Sequence, residues 1–92
     1  MIVRISGEDQ FRIDESLHPR LNELDAAVVQ AVEAGDEASF TSAFPALLDF
    51  VRSNGTIVGD EEIETSDLIL PPADLSFEEA GREFSGEGLI PD

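Results

Sequence analysis

The sequence predicts an α+β fold, in which a helical hairpin over residues 16–55 packs on a small, mostly antiparallel sheet and a short C-terminal helix follows. The main indication is a pair of apolar stripes whose members recur at steps of three and four residues, as along one face of a helix. The stripes comprise Leu17, Leu21, Leu24, Val28, Ala31 and Val32 in the first segment, and Phe40, Ala43, Phe44, Leu47, Leu48 and Val51 in the second. Because almost no linker separates the two segments, each stripe can be buried only against the other helix or against a further layer.

The predicted sheet is built from short segments with the residue alternation of β-strands. They comprise residues 1–5, 10–13 and 67–70. Gly7 lies between the first two segments and can adopt the positive φ of a tight turn, so these two are expected to pair as a hairpin. Pro71 and Pro72 follow the third segment and favour an edge position or a strand end.

Capping residues locate the ends of the first helix. Pro19 favours Ser16 as the N-cap, because a cap at Asp14 would make the proline the fifth helical residue, where its missing N–H disrupts the first full hydrogen bond. Gly35 is expected to end this helix in the left-handed conformation. Asp36 then caps the second helix, so the hairpin turns at these two residues.

The second helix contains an interior proline, Pro45. The apolar spacing continues across it, which predicts one kinked helix rather than two elements. Asn54 and Gly55 are expected to end this helix. Further along the chain, Ser76 and Glu79 have the spacing of a capping box, which predicts the start of the short C-terminal helix.

The chain is strongly acidic. At 92 residues it is predicted to form one domain, over residues 1–92, with a single core. It has 21 Asp and Glu against five Arg and no Lys, which gives a formal net charge of −16. Such a chain repels polyanions, so neither nucleic-acid binding nor direct membrane binding is expected. An acidic, lysine-free surface is typical of halophilic proteins, and we favour that adaptation over a specific acidic function.

The sequence also predicts a cytoplasmic location. No apolar run approaches the roughly 20 residues that a membrane-spanning helix needs. The first residues lack the apolar region of a signal peptide, and the absence of cysteine excludes disulfides. Residues 89–91 are apolar, and we expect them to dock on the core.

Few residues are candidates for chemistry. His18 is the only histidine, and without a serine or cysteine partner at a recognisable spacing it is best interpreted as a solvated surface residue. The run 60–67 is rich in the carboxylates that hard cations prefer, but it lacks the central glycine of a calcium loop and Ile63 interrupts it. We therefore predict no catalytic residue, no cofactor and no metal ligand. A small acidic regulatory protein that binds a metal or ligand through this run is the alternative function, and a hydrolase with paired carboxylates is a third.

An interaction module fits this composition better than an enzyme does. Phe40, Phe44 and Leu47 are bulky and share one helical face, so they are the candidate partner-binding residues. The competing interpretation is that they form the core of this domain. A homodimer is left open by the sequence.

The chain resembles the small PspA-associated proteins, the PspAA family, through nearly its whole length. The resemblance is carried by the opening Met1-Ile2-Val3-Arg4-Ile5, by Gly7-Glu8 and Phe11, by Val32-Glu33-Ala34-Gly35-Asp36, by Leu47-Leu48 and Val51, by Ser66-Asp67-Leu68-Ile69-Leu70-Pro71-Pro72-Ala73-Asp74 with Ser76, and by Glu87-Gly88-Leu89-Ile90-Pro91. The order and spacing of these segments together are more specific than any one of them.

The resemblance implies a non-enzymatic, cytoplasmic partner or regulator of a PspA-type protein in the envelope stress response. In such a pair the partner is a coiled-coil protein that binds and remodels membrane, so the small protein reaches the membrane through it. The resemblance implies no cofactor and assigns no functional residues. An acidic surface suits contact with a basic coiled coil.

Overall fold

The computed structural model describes residues 1–58 and 65–83 of the chain. The elements in chain order are β1 (Ile2–Ile5), β2 (Gln10–Arg12), α1 (His18–Ala34), α2 (Glu37–Asn54), β3 (Thr56–Ile57), β4 (Leu68–Leu70) and α3 (Phe77–Glu83). A 3₁₀ turn at Glu15–Leu17 precedes α1. The two long helices fold back on each other, and the strands form one four-stranded mixed sheet. The predicted α+β fold is therefore confirmed, including its helical hairpin and its short third helix.

The sheet has the strand order β3-β2-β1-β4. β1 and β2 pair antiparallel through a turn in which Gly7 has a φ of 80°, as its position predicts. β4 pairs with β1 in parallel, with Arg4 opposite Ile69, and it lies at the sheet edge that Pro71 indicates. The predicted strands missed β3, which pairs antiparallel with β2. It has two residues, both exposed, and is too short to show an alternation.

The start of the first helix differs from the prediction. Asp14, and not Ser16, is the capping residue: its Oδ1 accepts a hydrogen bond from the Ser16 N–H at 2.8 Å. This backbone hydrogen bond also holds the pKa of Asp14 below its usual value. The cap belongs to the 3₁₀ turn, after which α1 begins at His18 with Pro19 in its first turn. Because the 3₁₀ turn lies between Asp14 and α1, Pro19 falls in the first turn of α1, where its missing N–H breaks no helical hydrogen bond.

The hairpin turns at the two residues that the sequence predicts. Gly35 has a φ of 67° and its N–H points back to the carbonyls of the last turn of α1. Asp36 Oδ1 accepts a hydrogen bond from the Ser39 N–H at 3.1 Å, which caps α2. α2 then runs as one element through Pro45, whose ring is exposed, so the missing N–H does not leave a buried carbonyl without a donor.

One core joins the two helices to one face of the sheet. The most deeply buried apolar side chains are Val3, Ile5, Ile13, Leu21, Val28, Phe44, Leu47, Leu48, Val51 and Leu70. Leu24 lies at the margin of this core and is only half buried. We call the sheet face that meets the helices the inner face and the opposite one the outer face.

An ion-pair cluster fastens the β1–β2 turn to α2. Arg52 donates from Nε to Glu8 Oε1 at 2.9 Å and from Nη2 to the second carboxylate oxygen, so the pair is bidentate. Its Nη1 donates to Asp49 Oδ1 at 2.9 Å. The hydrogen bond from Arg52 holds the pKa of Glu8 below 4.5, and the same bond raises the pKa of Arg52.

A pair of glycine substitutions tests the packing at the end of α2. A Cβ at Gly55 would lie 2.7 Å from the Val51 carbonyl oxygen and 2.8 Å from Phe11 Cβ. We expect Gly55→Ala to lower the free energy of unfolding by about 1–3 kcal/mol, because the backbone must shift to relieve the overlap. Gly81→Ala in α3 meets nothing within 4 Å and should raise it by about 0.5–1 kcal/mol through helix propensity. Urea unfolding measures both, and a neutral Gly55→Ala would contradict this packing.

The Glu8–Arg52 pair predicts a pH dependence of stability. Because the folded-state pKa of Glu8 is lowered, its contribution is present above the unfolded-state value near 4.5 and is lost as the pH falls through the folded-state value. Glu8→Gln should therefore cost up to about 1 kcal/mol at pH 7, since both side chains are about one-third exposed, and nothing at the lowest pH.

Urea unfolding of the wild type and Glu8→Gln from pH 7 to pH 3 measures this difference. Glu23→Gln is the control, because it also removes one negative charge but breaks only the solvated pair with Arg20. A Glu8→Gln difference that stays constant across this range would contradict the assignment.

Candidate functional site

The predicted partner-binding residues lie in the core. Phe40, Phe44 and Leu47 are 5%, 2% and 0% exposed. Phe40 stacks on Phe44 with ring centroids 5.4 Å apart and meets the edge of Phe77 at 5.5 Å, so these rings join α2 to α3. Their burial agrees with the competing interpretation that they form the core. Their role in partner binding stays a prediction, and in this fold they offer almost no surface to a partner.

Some strand side chains of the outer face reach solvent, although Ile2 on the same face is buried. Alternation along the strands and their register place Arg4 of β1 between Gln10 of β2 and Ile69 of β4 on this face. Arg4 is exposed, and Ile69 is 57% exposed. An exposed isoleucine therefore lies directly opposite an exposed arginine in the parallel β1–β4 pair.

A small pocket adjoins Ile69 at the end of β4. It has a volume of about 130 Å³ and is lined by Ser6, Ile69, Leu70, Pro71, Pro72 and Leu75. The Ser6 N–H donates to the Leu70 carbonyl at 3.0 Å, which fixes the end of β1 against β4 at this point. We call Arg4, Ser6, Ile69, Pro72 and Leu75 the Arg4–Ile69 patch. It offers a cation and a small pocket with room for one aliphatic side chain.

The outer face also differs in charge from the rest of the described chain. Arg4 and Arg12 both project from it, two of the five arginines in the protein. Asp67 lies next to β4, where its Oδ2 accepts the Ile2 N–H at 2.7 Å and its own N–H donates to the Ile2 carbonyl at 2.8 Å. The other described acidic residues lie in the β1–β2 turn, in the helices and in the segments that flank the helices. Among the described residues, the outer face therefore carries two arginines and, beside β4, one aspartate.

The structure gives no support to a metal centre in the part of the chain that it describes. Within residues 1–58 and 65–83, no three His, Asp or Glu side chains are placed to hold a metal ion. Residues 59–64, which contain most of the predicted acidic run, lie outside the described residues, as do residues 89–91. His18 is the first residue of α1 and is half buried.

Asp25 is a buried carboxylate that the sequence pattern did not identify. It is 2% exposed and lies on α1 in the buried row with Leu21 and Val29. In the described part of the chain, no buried side-chain oxygen or nitrogen lacks a hydrogen-bond partner. Asp25 is therefore a satisfied buried group. Asp25 lies four residues from both Leu21 and Val29, and this spacing indicates that it shares their buried face. The burial was missed because only apolar residues were considered for that face.

A comparison with protein families identifies the chain. The model of the PspA-associated proteins, PspAA, matches residues 1–92. The chain belongs to the PspAA family. The family description links its members to PspA and names no catalytic activity. No curated protein and no solved structure matches the chain. Among the described residues of this family member, no helix combines the length and the apolar content needed to cross a bilayer.

A substitution at Phe44 tests the core assignment. Phe44→Ala should lower the free energy of unfolding by about 3–5 kcal/mol, because it leaves a cavity between the helices and the sheet. Phe50→Ala, at a half-buried position of the same helix, should cost clearly less. Urea unfolding with circular dichroism detection measures both. If Phe44→Ala left the free energy of unfolding unchanged but abolished binding of a partner, Phe44 would be a partner-contact residue and not a core residue.

Proposed function

We propose that this PspAA protein is a non-enzymatic partner and regulator of a PspA-type membrane-stress protein in the envelope stress response. The observation that carries the proposal is the match of the PspA-associated family model to all 92 residues. We take the partner to be a coiled-coil protein that binds membrane. The small protein acts on it by occupying a surface and not by changing a covalent bond.

The charge of the chain supports a protein partner over a lipid surface. With a formal net charge of −16, the molecule is repelled by anionic headgroups, so it reaches the membrane through the partner while residing in the cytoplasm. The same charge attracts a coiled coil that carries basic segments, which raises the association rate at low salt. The packed core provides a small scaffold on which an interaction surface keeps its shape.

The test is direct binding between the untagged chain and its cognate PspA-type protein. We expect co-purification, and a dissociation constant in the micromolar range or tighter by calorimetry, in both low and high salt. High salt is included because in about 1 M salt the screening length falls to about 3 Å, which suppresses non-specific charge attraction. An unrelated protein of similar size and net charge is the control.

Two outcomes would count against the proposal. Absence of binding at tens of micromolar in both salts would contradict it, as would equal binding by the acidic control. Titration of the chain alone with calcium and magnesium is the companion measurement. A specific binding isotherm there, with none for the PspA-type protein, would favour the alternative of a metal-binding regulator.

A further inference from the structure

We propose that the Arg4–Ile69 patch is the docking site for the PspA-type partner, and that it receives an amphipathic helix presenting an aliphatic side chain next to a carboxylate. This inference rests on the proposed function and adds the surface and the chemistry of the contact. It is carried by three observations: an exposed isoleucine, an adjoining small pocket that this isoleucine lines, and an exposed arginine in register with the isoleucine.

The apolar part of the patch is open to a partner. Ile57 and Ile69 are the exposed large apolar residues of the described chain, at 60% and 57%, and they lie on opposite edge strands. Ile69 lines the small pocket at the end of β4, together with Pro72 and Leu75, which are half buried. An aliphatic side chain that entered this hollow would cover Ile69 and exclude water from it, as anchor residues do at interfaces.

The charged part of the patch selects a carboxylate. Arg20 is engaged by Glu23, and Arg52 by Glu8 and Asp49. Arg4, in contrast, has no ion-pair partner among the described residues. Its guanidinium has the planar geometry that binds a carboxylate through two parallel hydrogen bonds. The partner segment that complements the patch therefore carries an acidic residue beside its apolar anchor.

The edge of the sheet argues for a helix and against an added strand. β4 is three residues long and is followed by Pro71, which has no N–H to donate. A short edge that ends in proline gives an incoming strand few backbone partners. A helix satisfies its own backbone hydrogen bonds, so it can place one side chain in the pocket without pairing with the edge of β4.

Charge also argues against a second copy and against lipid as the occupant. Two patches facing each other across a two-fold axis would bring Arg4 close to its own equivalent, and each molecule carries a net charge of −16. An anionic bilayer attracts Arg4 locally but is repelled by the molecule as a whole. A partner helix that carries an acidic residue places no second arginine next to Arg4. Because this helix is a single segment, its repulsion by the acidic molecule is small beyond the screening length.

Matched substitutions test the patch in the full-length chain. Ile69→Thr keeps a β-branched residue on an edge strand, so the fold should persist, and Ile57→Thr is the same change at the opposite edge. Arg4→Glu reverses the charge in the patch, and Arg20→Glu does so on α1. We expect Ile69→Thr and Arg4→Glu each to raise the dissociation constant for the PspA-type protein about tenfold or more, as at anchor positions. The two controls should change it by no more than about twofold.

Each outcome decides the question, once circular dichroism has shown that the variants are folded. If the wild type does not bind the PspA-type protein, the proposed function fails and the docking site fails with it. If the wild type binds and the patch variants bind equally well, only the docking site is wrong.

Two further measurements test the alternative occupants. Loss of a dimer in sedimentation with Ile69→Thr would assign the patch to a second copy. Flotation with phosphatidylglycerol vesicles that Arg4→Glu abolishes would assign it to lipid. Either result would overturn the inference.

Discussion

The structure depends on a single constraint: a chain of this length can build one core, and both helices and the sheet must share it. Leu21 and Val28 from α1 meet Phe44 and Leu47 from α2, and the inner face of the sheet closes the same space. This arrangement uses the large aromatic residues of α2 for packing. The described helices pack on the inner face, and Arg4 and Ile69 on the outer face stay exposed.

Part of the acidity has a structural use. Four carboxylates accept hydrogen bonds from backbone N–H groups at the ends of elements: Asp14 from Ser16, Asp36 from Ser39, Asp67 from Ile2 and Glu79 from Ser76. At Asp36 the hydrogen bonds from Ser39 hold the pKa of the carboxyl low, and at Glu79 those from Ser76 do the same. These residues are charged because helix and strand ends need acceptors. Glu8, Glu23 and Asp49 form ion pairs with arginines in addition.

Much of the fold could be predicted from local signals. The two helices, the turn at Gly35, the cap at Asp36 and the capping box of Ser76 and Glu79 all depend on residues near one another in sequence, and each is confirmed. One local signal failed, at the start of the first helix, where Asp14 and not Ser16 is the cap. The other failures lie where distant residues decide the structure. The parallel direction of β4, the existence of β3 and the burial of Asp25 depend on neighbours far along the chain. The outer-face patch was missed for the same reason, because only the register brings Ile69 beside Arg4.

The parallel pairing of β1 with β4 also has a consequence for the order of folding. Asp67 is 65 residues from Ile2, the residue whose backbone it binds, so this edge of the sheet can form only by closing almost the largest loop in the described chain. Closing such a loop costs more chain entropy than forming the β1–β2 hairpin or the helix pair, and long-range pairing is slow. We therefore expect the surface around Arg4 and Ile69 to assemble late in folding. A partner that bound this surface would distinguish the complete fold from a chain in which only the hairpins have formed.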